Sequence, residues 1–105
     1  MHERVGVFDG FLMHSPAQPT PIRADVEEPA LIFITETGLT RFGHAPARQP
    51  DSDSVRTWEV AGAAHADAWL LNELGSGYAA SCPGRLNEGP HHETLRAALH
   101  HLVAW

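Results

Sequence analysis

A chain of 105 residues with 43% apolar side chains has room for one modest hydrophobic core, which excludes a large multilayer enzyme. Thirteen acids against seven bases leave a net charge of −6 at pH 7, which argues against nucleic acid and anionic membrane surfaces as partners. Eight histidines make that charge strongly dependent on pH below neutrality.

The start of the chain, Met1-His2-Glu3-Arg4, leads into a mixed segment rather than an apolar signal core, and no run reaches membrane-spanning length. The expectation is a soluble, unexported, cytoplasmic protein. Residues 5 to 12, with Val5, Val7, Phe8, Phe11 and Leu12, form a short extended segment broken by the turn dipeptide Asp9-Gly10. Pro16, Pro19, Pro21 and Pro29 then rule out a regular helix or central strand over 13–29, so residues 1–29 read as a connecting, lid-like segment. Ala30-Leu31-Ile32-Phe33-Ile34-Thr35 is a continuous apolar run, the pattern of a strand buried on both faces, and the strand is expected over 30–36.

Residues 37 to 54 are polar and broken by Gly38, Gly43, Pro46 and Pro50, a length sufficient for a crossover between parallel strands. Arg48-Gln49-Pro50-Asp51 reads there as a crossover loop, in preference to a guanidinium site for a charged substrate. A second strand over 55–60, Val55-Arg56-Thr57-Trp58-Glu59-Val60, empties through Ala61-Gly62-Ala63-Ala64 into His65-Ala66-Asp67. Small residues let the backbone turn tightly there, so the His65 imidazole can project into a cleft with little freedom.

Ala66, Trp69, Leu70 and Leu74 fall at helical spacing, Asp67 suits the first turn and Gly75 the end, which predicts a helix over 66–74. Residues 75 to 90 read as a glycine-rich loop. Cys82 within it is the only cysteine, which excludes an internal disulfide and a thiolate metal cluster, and it reads as structural. The last helix is expected over 91–104, with Pro90 in its first position and Leu95, Leu99, Leu102 and Val103 on its buried stripe. Trp58, Trp69 and Trp105 read as core packing.

The order of strand, crossover, strand, helix, loop, helix predicts an α/β layer architecture with parallel strands at 30–36 and 55–60. Two strands make a thin sheet, so the chain is expected to be part of something larger, with the edge of the first strand open to self-association.

Five stretches resemble the C-terminal part of an α/β-hydrolase domain: Phe8-Asp9-Gly10-Phe11-Leu12, Ile34-Thr35-Glu36-Thr37, Ala47-Arg48-Gln49-Pro50-Asp51, the run from Arg56 to Asp67, and Asn87-Glu88-Gly89-Pro90-His91 followed by Ala97-Ala98-Leu99. The string from Trp58 to Asp67 is the most specific. The resemblance implies that 30–36 and 55–60 are the last two sheet strands and that His65 is the catalytic histidine. It further implies a serine-type hydrolase of carboxylic esters or related acyl bonds, without cofactor, whose partner in the complete enzyme is a small-molecule ester or acyl substrate. The superfamily's serine sits on a G-x-S-x-G elbow, and none of Ser15, Ser52, Ser54, Ser76 or Ser81 has that flanking. The nucleophile is therefore expected in an upstream hydrolase segment, and the isolated chain is expected to be inactive. The position where relatives carry the acid aligns with Gly38, which leaves Glu36 as the expected acid and Asp67, suited equally to capping a helix, as its competitor.

Two other classes compete. A small noncatalytic α/β module would dock a partner along its strand edge. A histidine-based metal protein would draw on His91, His92, His100 and His101, but Arg96 interrupts the shared stripe of His92 and His100 and H-E-x-x-H is missing, which favours a solvated face without metal.

Overall fold

The structure, a computed structural model, describes residues 6–16, 18, 20–75, 89 and 91–105. The expectations for the start of the chain, for the 75–90 loop with Cys82, Ser76 and Ser81, and for Pro90 as a helix entry fall largely outside those residues.

Three parallel strands form one sheet in the order β1 (Phe11–His14), β2 (Ala30–Thr35), β3 (Val55–Val60). Phe11 lies opposite Ala30, which in turn lies opposite Val55, so β2 is paired along both sides. The continuous apolar run thus becomes the central strand, buried at every position from Ala30 to Thr35. This corrects two expectations. Residues 11–14 are a sheet strand rather than part of a connecting segment, and the strand at 30–36 has no open edge.

A single backbone device ends β1. Ser15 takes a positive φ of 39°, is buried, and donates its N–H to the Phe33 carbonyl while its hydroxyl lies 3.4 Å from both Thr35 N and Thr35 Oγ1. A left-handed serine costs energy, and here side-chain and backbone bonds to β2 hold it.

The two faces of β2 carry separate apolar clusters, as the alternation of side chains along a strand requires. Ala30, Ile32 and Ile34 join Val55 on one face, flanked by Met13, Ile22 and Leu39. Leu31 and Phe33 join Ala98 on the other, beneath Leu12, Trp58, Val60, Leu95 and Leu102. That second face is covered by α3 (His91–Ala104), whose extent matches the expected 91–104. Its buried stripe is Leu95, Ala98 and Leu102; Leu99 and Val103, placed on the stripe by their spacing, face solvent.

The expected crossover contains α1 (Glu36–Arg41) and a 3-10 turn (Ala45–Ala47). Thr35 caps α1, its Oγ1 accepting the Gly38 N–H at 3.3 Å. The helix expected over 66–74 is α2 (Ala68–Leu74), capped by Asp67, whose Oδ1 accepts the Leu70 N–H at 2.9 Å. It buries Leu71 and leaves Trp69, Leu70 and Leu74 exposed. Of the three tryptophans, Trp58 packs against the second cluster, Trp69 is exposed, and Trp105 carries the Arg56 guanidinium 4.8 Å from its ring centroid.

The segment before β3 is stitched along that strand's outer side. Asp51 Oδ1 accepts the Thr57 N–H, Ser52 Oγ accepts the Val55 N–H, the Ser52 N–H reaches the Val55 carbonyl, and Arg48 forks onto Glu59. Gln49 Oε1 accepts the Ile22 N–H at 2.6 Å. The stretch from Arg48 to Asp51 is thus a structural loop, as expected.

Candidate active site

Parallel strands all deliver their carboxyl ends to one side of the sheet, the side where open α/β sheets bind ligands. Here those ends are His14, Thr35 and Val60, and the loop after Val60 brings His65 to the same side. Gly62, with a φ of 74°, makes the turn out of β3, and the Ala63 N–H closes it onto the Val60 carbonyl at 3.3 Å.

Two bonds fasten this loop to the start of α1. The Glu36 N–H reaches the Ala63 carbonyl at 3.0 Å, and Glu36 Oε2 accepts the Gly62 N–H at 2.6 Å. The carboxylate expected to orient the imidazole therefore grips the backbone three residues before it. His65 itself is half-buried, with its ring edge-on to Phe42 at a centroid distance of 4.9 Å. Its Nδ1 is buried and has no hydrogen-bond partner among the described residues. Glu36 and His65 are thus brought to one loop without a hydrogen bond between them. Asp67, the competing carboxylate, is engaged in capping α2.

The structure adds two histidines that local patterns did not point to as site residues. His14, at the end of β1, lies with its Nε2 3.1 Å from Nε2 of His91, the first residue of α3. Both rings rest on buried Phe33, that of His91 stacked at 18° and 5.5 Å. Partial desolvation is the foremost cause that holds both imidazoles below their ordinary pKa, although His14 remains exposed at the surface; for His14 the charge of His91 adds to it, and that of His65 does so for each. Asp67 acts in the opposite sense on His91. Between the loop and α3 lies a hollow of about 210 Å³, lined in part by Gly62, Ala64, Asp67, His91 and Thr94. His91 thus borders the hollow from the α3 side.

His92, Arg96 and His100 all face solvent on α3. Among the described residues, no group of three or more histidine, cysteine, aspartate or glutamate side chains is arranged to hold a metal ion.

Gly38 explains why that position carries no side chain. A Cβ built there would sit 2.8 Å from His44 Nδ1 and 3.2 Å from Ile34 Cγ2, inside van der Waals contact. His44 has no room to yield, since it is 1% exposed and its Nε2 lies 2.7 Å from the Pro16 carbonyl oxygen. Gly38→Asp should therefore destabilise the fold by about 2 kcal/mol or more. Denaturant unfolding checks this, with His44→Ala in the same chain expected to recover much of the loss.

A family model described as alpha/beta hydrolase domain matches residues 1–105. No curated protein and no solved structure gives a match.

Proposed function

The chain belongs to the alpha/beta hydrolase domain family, and from that premise we propose that it is the histidine-bearing segment of a serine-type hydrolase of carboxylic esters or related acyl bonds. The observation that carries the reading is the delivery of His65, on a turn of small residues, to the carboxyl side of a parallel sheet. There the imidazole removes the proton from a serine hydroxyl supplied by a segment outside this one, and returns a proton to the leaving alkoxide.

A base of this kind needs a carboxylate to fix its tautomer and balance the imidazolium. Glu36 takes that part in our reading, exchanging its bond to the Gly62 N–H for His65 Nδ1, which has no partner among the described residues. The substrate's polar end occupies the hollow beside His91. No cofactor enters the scheme.

The test supplies the missing hydroxyl. A segment bearing a G-x-S-x-G elbow is co-expressed with the chain, and p-nitrophenyl ester cleavage is followed. Restored cleavage is expected; a folded, stable complex that remains silent rejects the reading. Glu36→Gln then separates two roles for that residue. The amide still accepts the Gly62 N–H but cannot balance a positive imidazole, so kcat should fall by about a thousandfold or more if Glu36 is the acid. A change of a few fold assigns it to holding the loop.

A further inference from the structure

The contact between His14 and His91 joins residues 77 positions apart. It also joins two elements, since His14 ends β1 and His91 begins α3. A hydrogen bond between two Nε2 atoms needs one donor and one acceptor. Two neutral rings of opposite tautomer satisfy it, and so does one imidazolium facing one neutral ring. Two imidazolium rings cannot, because both nitrogens then carry a proton and both rings a positive charge.

We infer that His14 and His91 form a proton-operated latch: their Nε2 contact docks the first turn of α3 on the carboxyl end of β1, survives one added proton, and opens when a second arrives. No catalytic role for His65 is required, so the latch stands or falls separately from the hydrolase reading.

The surroundings favour the closed state near neutrality. Phe33 lies under both rings and offers no polar atom to a charged imidazole. His65, from the loop after β3, opposes charge on either ring. His92 opposes charge on His91 from α3 itself, and its own Nε2 lies 3.5 Å from Glu93 Oε1. Asp67 alone draws His91 toward the charged form.

Both imidazoles titrate below their ordinary value in the folded chain, so the sign of the pH effect follows. Well above about pH 6.5 both rings are neutral in either state and the stabilisation is complete. As pH falls through that value the unfolded chain takes up protons first, and stability is lost until the folded rings are charged as well.

Nitrogen-15 imidazole titration of the full chain, paired with amide exchange at Leu95 and Arg96, tests the latch. The two rings are expected to titrate as a coupled pair in two steps, the second well below the ordinary histidine value. Exchange at Leu95 and Arg96, corrected for its intrinsic pH dependence, should quicken by about tenfold between pH 7.5 and 5. His14→Gln keeps a hydrogen-bonding side chain that does not titrate, and should cut that response to less than about twofold. Two independent titrations at the ordinary value would overturn the latch, as would an unchanged acid response in His14→Gln. So would loss of the response in His92→Gln or Glu93→Gln. Should His14→Gln fail to fold, the titration of the unaltered rings decides by itself.

Discussion

His65→Ala should lower ester cleavage by the reconstituted enzyme by about a thousandfold or more, with the loss in kcat rather than KM. The reasoning is that a serine hydroxyl is a weak nucleophile at neutral pH without a base in contact with it. Alanine removes the only imidazole on the loop after β3. The structural cost should be slight. Among the described residues His65 makes an edge contact to Phe42 and no hydrogen bond through Nδ1, so thermal unfolding should move by only a few degrees. An intact fold with cleavage retained within tenfold would remove His65 from the chemistry and leave the assignment to another side chain. An unfolded variant would be uninformative about catalysis, and His65→Gln, close in size and neutral, is the substitute in that case.

Phe33→Ala should have the largest effect on stability, about 3–5 kcal/mol. Phe33 is wholly buried in the middle of β2, where it joins Leu31 and Ala98 under α3. Truncation leaves a cavity where the surrounding residues belong to two different layers and have little freedom to collapse together. A domain of this size has modest stability to lose, so the unfolding midpoint should drop by about 15 °C or more. The same ring carries His14 and His91, and their contact should loosen with it. Val103→Ala is the matching control, because that side chain is 80% exposed and its loss should be nearly neutral. A shift of only a few degrees for Phe33→Ala would mean that α3 does not depend on this cluster.

Much of this fold is legible in the sequence. Ala30 to Ile34 is apolar throughout and rich in β-formers, which suits a strand covered on both faces. The small residues from Ala61 to Ala64 announced the turn that delivers His65, and Asp67 announced the cap of α2. β1 was harder. Its four residues stand between a turn dipeptide and a proline-rich stretch, so pairing with β2 decides their conformation and local pattern does not. On α3 the apolar residues exceed what one face can bury, and contact with Phe33 and Leu31 selects Leu95, Ala98 and Leu102 over Leu99 and Val103. The meeting of His14 with His91 has no sequence signature, since it arises from two elements distant in the chain folding against the same phenylalanine.

The two margins of the sheet are finished differently. Along β3 the preceding loop consumes the outward hydrogen-bonding groups of Val55 and Thr57 and caps the strand with an arginine fork. Among the described residues β1 shows no such hem; beside it lie Phe8 and Phe11, exposed and 5.8 Å apart between ring centroids. The two sides of the sheet thus differ in chemistry, with exposed aromatic rings beside β1 and a polar, hydrogen-bonded loop along β3.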